Sequence, residues 1–396
     1  MIDWNSELTS DDVDTNVQRF YDILNRLVES HVPKKKPPRR SYTCEWMNPQ
    51  LASCRNRRNR AYKAYKRHPS HENYTRFLRY RDAFAQLNVQ LYREFHQSQA
   101  DLIKSNPSKF WRRVNSRRST GGIPRLVRHG ASESADLKGA ANLFADFFEG
   151  VYASDKVSPN LPQGPSAETT TCHRLSADEI EKAISELDVT KGGGPDLIPN
   201  ALLKPLATEL TPALQLIFNQ SLSAGVFPAA WKKSFIVPIF KSGDRSSCSN
   251  YRGIAILSAI PKLFEKLVCS FLETSIGDLV HGVQHGFRSG RSTSTNLTLF
   301  VDSVMKIMSS HGQADAIYTD FSKAFDRVNH KLLIQELRLM GLGGTLLSWL
   351  QSYLTDRMRS VRIGDALSRD VASTSGVPQG SHLGPLLFAL FVNDLV

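Results

Sequence analysis

Cysteine is scarce and scattered in this sequence. Its five cysteines, Cys44, Cys54, Cys172, Cys248 and Cys269, form no CxxC pair and have no histidines at zinc-ligand spacing. That excludes a zinc-ribbon module and a disulfide framework of the small secreted kind. Such usage suits a reducing, intracellular compartment, cytoplasm or nucleus. Long apolar runs are missing too: no stretch approaches the ~20 residues of a membrane span, and the acidic N-terminus is unlike a secretory signal peptide. No internal repeat is present.

Acidic side chains are the third scarcity, and a local one. Residues 33–128 hold 24 Lys+Arg against five Asp+Glu, while residues 1–32 sum to −5 and residues 129–396 to −2, so the whole excess of +12 comes from one stretch. Such a stretch favours phosphate backbones, with counterion release making binding steeply salt-dependent. Its densest part supplies the candidate nucleic-acid contacts Arg55, Arg57, Arg58, Arg60, Lys63, Lys66 and Arg67. Tyr62, Tyr65, Tyr74, Phe77, Tyr80, Phe84 and Tyr92 lie among the charges where helix is favoured. Either they form the helix's core stripe beneath a solvated Arg/Lys face, which we prefer, or they stack on bases. Lys34–Arg40 (KKKPPRR) has the composition of a nuclear-import signal and equally of a proline-basic linker. Residues 153–174, rich in Ser, Pro and Thr, read as a flexible connection.

What is present is more specific. Phe235–Phe240 is a short apolar run, Lys241–Asp244 has turn chemistry, and Tyr251–Leu257 resumes an extended pattern, which together read as a hairpin. Lys241 and Arg252 flank its turn; a compact ammonium and a planar guanidinium suit a polyphosphate, although either alone is as readily a solvated charge. Ala316–Phe321 alternates with period two, so a strand there ends with Asp320 facing away from the buried side. Asp320 is a candidate metal carboxylate or a strand-end turn residue, and Asp326 reads as the cap of a helix around Val328–Leu339. Gly376, Pro378 and Gly380 punctuate a loop, Ser381 stands at a helix N-cap, and Leu383, Leu386, Leu387, Leu390 and Phe391 recur with helical spacing. Upstream, Ser176 and Glu179 make a capping-box pattern before Ile180, Ile184 and Leu187.

In order, PIFKSGDRSSCSNYRGIAIL (Pro238–Leu257), GFRSGRST (Gly286–Thr293), YTDFSKAFD (Tyr318–Asp326) and SGVPQG (Ser375–Gly380) resemble the reverse transcriptase of non-LTR retrotransposons, the jockey type in particular. Lys191–Lys204 (KGGGPDLIPNALLK) resembles the opening segment of that domain, with Leu197 where the family has a glycine. The resemblance implies an α+β fold, the fingers and partial palm of a right-hand polymerase over 175–396. A basic helical region (1–152) and the 153–174 connection would precede it. It implies RNA-directed DNA polymerisation with template RNA, a DNA primer end, deoxynucleoside triphosphates and Mg²⁺. Asp320 and the Phe321 carbonyl would hold metal, Lys241 and Arg252 the triphosphate, Phe325 the sugar, and Gln379 with Gly380 the nascent base pair; Arg288 joins the nucleic-acid contacts.

His382 departs from the small or branched residue expected after VPQGS. The family's next element, a hairpin with paired aspartates (F/Y-x-D-D), does not occur. The sequence therefore predicts a truncated, inactive domain with exposed apolar sheet edges and poor solubility. A non-catalytic nucleic-acid-binding remnant is the alternative.

Overall fold

The computed structural model describes residues 2–33, 44–107, 111, 122–152 and 174–393. Lys34–Arg40, the connection at 153–173 and Cys172 lie outside the described residues. By its contacts the chain divides into residues 33–122 and a second unit made of residues 1–32 with 123–396. That differs from the expected boundary at 153–174, because helices on both sides of the basic stretch pack into the same cores.

The basic unit is a helical hairpin. Asn48 accepts from the Leu51 amide (2.7 Å) and Pro49 occupies the first turn, which starts α3 (Pro49–Arg67). Three residues later begins α4 (His71–Ser105). Tyr62 meets Phe77 and Tyr65 meets Tyr74, each with ring centroids 5.2 Å apart, while the Arg58 guanidinium lies 4.5 Å over Phe84. Numbers falling along α3 as they rise along α4 define an antiparallel pair. The rings face one another, and Arg57, Arg60, Lys63, Lys66 and Arg67 stay exposed.

The larger unit mixes helix and sheet around two cores. Helix α1 (Trp4–Glu7) and α2 (Val13–His31), capped by Asp12, open it. Val13, Val17, Phe20, Tyr21 and Leu24 recur every three to four residues along α2 and are all buried, so α2 presents one apolar stripe to the helical core. Trp4 Nε1 donates to the Glu209 carbonyl (3.0 Å), and Asn16 Nδ2 donates to Gln220 Oε1 (2.8 Å), both on α7 (Ala207–Ala224). The capping box at Ser176 forms as expected and starts α6 (Ala177–Ser185). An aromatic group fills the middle of this core. Phe218 stacks on Phe264 of α8 (Ala259–Ile276) at 4.3 Å, Phe227 lies parallel to Phe264 at 6.4 Å, and Trp231 and Trp349, the latter on α11 (Gly344–Leu354), pack edge-on around them.

The second core lies under a four-stranded sheet. After a short antiparallel ladder of β1 (Val127–His129) and β2 (Ser132–Ser134), the expected hairpin forms β3 (Lys233–Phe240) and β4 (Tyr251–Ile256), and a further one forms β5 (Arg357–Ile363) and β6 (Ala366–Ser373). Their order is β4-β3-β5-β6, with β3 and β5 parallel and the other pairs antiparallel. Helix α5 (Leu137–Glu149) crosses β6, where Arg369 donates to Asp146 (2.8 Å) and to Glu149.

Two local expectations are corrected. Ala316–Phe321 forms no strand: residues 313–321 are extended without a ladder, and Ile317 and Tyr318 are 90% and 84% exposed. A strand needs partners for its amides and carbonyls, and among the described residues none pairs there. Helix α9 (Thr293–Ser309), just before it, has no buried residue although it carries Leu297, Phe300, Val301 and Met305. Asp326 does not cap the next helix. Asn329 does, accepting from the amides of Lys331 (2.9 Å) and Leu332 (3.2 Å), so α10 runs His330–Leu339 and Asp326 is free for the cleft described below.

Candidate active site

A cleft of about 510 Å³ opens where four segments far apart in sequence converge. It is lined by Lys241, Ser249, Tyr251, Arg252 and Gly253 of the β3–β4 hairpin, by Asp320 to Asp326, by Gln379, and by Phe148 of α5. Six of the sequence-derived residues, Lys241, Arg252, Asp320, Phe321, Phe325 and Gln379, are thus brought together. Gly380 adjoins them through its neighbour.

The hairpin register aims the cations. Ile239 pairs with Arg252 and Phe240 with Tyr251, so Lys241, two residues beyond Ile239, shares a face with Arg252 as its diagonal neighbour. The turn closes with the Lys241 amide donating to the Asn250 carbonyl (2.9 Å), and both side chains are exposed to the cleft.

The 375–384 loop is tied to both other walls, mostly through backbone. Gly376 N donates to Val328 O and Val377 N to Phe325 O (2.8 Å each), while Ala255 N on β4 donates to Gln379 O (2.9 Å). Ser375 Oγ adds a bond to Asp326 O (2.7 Å) and His330 Nε2 one with Gly376 O (2.7 Å). Glycine is required where these backbones close. Gly376 (φ +85°) and Gly380 (φ +128°) would each bring a Cβ to 2.6 Å from a carbonyl oxygen, of Phe325 and Ala255 respectively. Ser381 accepts from Gly384 N (2.9 Å), so it serves the start of α12 (Leu383–Phe391) as expected, although the helix proper begins two residues on.

Behind this loop sits a buried polar group that the sequence did not announce. Glu265 on α8 is fully buried and accepts from His382 N (3.0 Å). Burial pushes its carboxyl up to about 7, against the opposing pull of the nearby Arg357. Arg357, itself buried at the start of β5, donates to the Tyr353 carbonyl (2.9 Å) and lies 4.8 Å over the Tyr353 ring. His382 takes part through its backbone N–H and through its carbonyl, which accepts from the Cys269 thiol. Its unusual side chain therefore leaves the loop in place.

Phe325 is fixed from below. Its ring stacks on Phe388 of α12 at 4.7 Å and meets Phe287 edge-on at 5.5 Å. Lys323, Asp326 and Phe148 are among the lining residues to which the motifs gave no site role. Phe148 sits against Gly253, where a Cβ would approach its ring to 3.2 Å. Burial raises the Asp326 carboxyl above the ordinary range while Arg359 (3.9 Å) and Lys323 oppose that shift. Lys323 has a left-handed backbone, φ +56°, and its ammonium lies 5.0 Å over the Phe147 ring. Arg288 is used locally, donating to the carbonyls of Val280 and His281 (3.1 Å each).

Carboxylates are few in the cleft. Asp320 and Asp326 alone among the lining residues carry them, and among the described residues no group of three or more His, Cys, Asp or Glu converges as a metal cage. The described residues do not by themselves fit a two-metal centre, which brings several carboxylates to one point.

The 191–204 segment bears on one of the same walls. Gly194 packs against the Leu257–Ser258 peptide, where a Cβ would lie 2.4 Å from Ser258 N. Leu197, in the family's glycine position, adopts φ +61° and is 75% exposed. For leucine that region costs about 1–2 kcal/mol.

Residues 239–396 match the family model described as reverse transcriptase (RNA-dependent DNA polymerase). This part of the chain is a reverse transcriptase domain. The chain is 34% identical to the probable RNA-directed DNA polymerase from transposon BS of Drosophila melanogaster, over 56% of this chain and 25% of that protein. It is 31% identical to the corresponding probable polymerase from transposon X-element of the same organism, over 72% of this chain and 32% of that one. To the RNA-directed DNA polymerase from mobile element jockey of Drosophila funebris it is 26% identical, over 98% of this chain and 44% of that protein. Outside the matched domain the chain is thus similar to proteins named as RNA-directed DNA polymerases of mobile elements of the jockey type, and it spans less than half the length of these relatives. No helix among the described residues is long and apolar enough to cross a membrane.

Proposed function

We propose that this chain forms the deoxynucleotide-binding part of an RNA-directed DNA polymerase, built as fingers and palm, and that its basic helical hairpin holds nucleic acid. The observation that carries the reading is the single cleft that gathers Lys241 and Arg252, Asp320 and Phe325, and Gln379 from three distant segments. Lys241 and Arg252 hold the triphosphate, a point charge beside a planar donor fork. Phe325, clamped between Phe287 and Phe388, lies under the sugar. Gln379, fixed through its own carbonyl to Ala255 N, keeps its amide for the nascent base pair, with Gly380 allowing close approach.

Reverse transcriptases use divalent metal ions, which supply Lewis-acid stabilisation of the transferring phosphate. Asp320 is the carboxylate on this chain best placed to hold one, with the Phe321 carbonyl beside it. Template RNA and a DNA primer end are the substrates this reading assigns. Equilibrium binding of a fluorescent deoxynucleoside triphosphate tests it. The chain should bind, and the double variant K241A/R252A should bind about 100-fold more weakly, since it removes two charge-assisted hydrogen-bonding groups. Indifference to that double variant would sink the assignment. Primer extension on a primed RNA template with Mg²⁺ should give no product from this chain alone. Extension that D320A abolishes would show that the cleft works, through Asp320, without the family's paired aspartates.

A further inference from the structure

Lys323 stands in the cleft with no assigned role, and three observations converge on it. Its backbone is left-handed (φ +56°), a region that lysine rarely adopts and that in enzymes marks positions where geometry is imposed for function. The conformation is held in place from the C-terminal side, where the Lys323 carbonyl accepts from the amides of Asp326 (3.0 Å) and Arg327 (3.2 Å). The side chain lines the cleft together with Lys241 and Arg252. No carboxylate of the described residues lies within salt-bridging distance of it. Instead the ammonium rests 5.0 Å over the face of Phe147, which steadies it while leaving its N–H donors to other partners.

Like charges crowded in a half-buried cleft repel, and a polyanion between them removes the repulsion. Two of these cations already face a triphosphate in the reading given above. We propose that Lys323 is a third phosphate contact for the incoming nucleotide, and that the left-handed turn at this position serves to aim it between Lys241 and Arg252. The proposal rests on that reading of the cleft. It makes the three-residue step from Asp320 to Lys323 a unit that presents a carboxylate and an ammonium to the same ligand.

Lys323→Gly separates a binding role from a structural one, because glycine removes the ammonium and also relieves the left-handed backbone. Binding of 3′-methylanthraniloyl-dATP, of the matching monophosphate and of a single-stranded RNA oligonucleotide is measured with the full chain, beside thermal melting. The expected result is a melting temperature equal to wild type or higher and triphosphate affinity about tenfold lower. Monophosphate and oligonucleotide affinities should change less than twofold, and Lys323→Arg should recover most of the triphosphate binding. Unchanged triphosphate affinity in Lys323→Gly, beside a clear loss in Lys241→Ala, overturns the role of Lys323 alone. A loss confined to the oligonucleotide overturns it too, since the ammonium would then serve the nucleic-acid backbone. Absence of triphosphate binding in the wild-type chain removes the cleft reading and this inference together.

Discussion

At the scale of single residues, five residues other than glycine are left-handed among the described ones, and two of them, Leu197 and Lys323, call for opposite treatment. Leu197 is exposed and touches no candidate site residue, so nothing offsets its backbone cost. Leu197→Gly should therefore raise stability by about 1 kcal/mol, the left-handed penalty less the extra freedom glycine has when unfolded. The check is a urea titration in which the midpoint rises with an unchanged slope; an unmoved or lower midpoint would contradict it. The motifs made Asp320, Lys241, Arg252, Phe325 and Gln379 legible because each is a residue type that phosphate or metal chemistry needs, set in a recognisable string. Lys323 sits inside the same string without standing out, since a lysine beside a turn reads as a solvated charge until its dihedral angles are known. Glu265 and Arg357 were out of reach for another reason. Charged residues at helix and strand positions read as surface, and only packing reveals a buried pair.

At the scale of elements, helical periodicity held where a core was available to receive it. The capping box at Ser176 and the hairpin at 233–256 formed as the pattern required. The alternation at Ala316–Phe321 did not become a strand, because period two specifies which side chains share a face but supplies no partner for the backbone. Helix α2 presents the reverse case. Its stripe is plain in the sequence, yet the basic stretch that follows suggested that everything before residue 153 formed a separate region. In the structure Phe20 is completely buried in the same core as Phe218, Trp231 and Phe264, and Tyr21 joins Trp231 to Asp196 through its hydroxyl. Phe20→Ala should therefore cost about 3–5 kcal/mol of the polymerase unit's stability. Chemical unfolding followed by the fluorescence of the buried tryptophans measures it. A loss below about 1 kcal/mol would mean that α2 is only loosely attached.

At the scale of the whole molecule, charge and apolar surface are kept apart. The cationic excess belongs to the 33–122 unit, and the exposed apolar helix α9 to the other. Nucleic-acid affinity should accordingly follow the first. Replacing Arg57, Arg60 and Lys63 together by alanine should lower the slope of log affinity against log salt for single-stranded RNA by about 2, at roughly 0.7 for each phosphate no longer neutralised. Asp320→Ala should leave that slope at the wild-type value. Equal slopes for the triple variant and wild type would move the RNA-binding surface elsewhere.

The tether of the 375–384 loop bears on how a lineage of such chains can diverge. Its position is written largely in backbone atoms and in three sites, Gly376, Gly380 and Gly384, that have no room for a methyl group. Substitutions can accumulate at His382, whose bonds here run through its amide and carbonyl, without moving Gln379. Copies of this domain are free to drift in the letters of that loop while inheriting the same cleft, as long as its three crowded glycines are passed on.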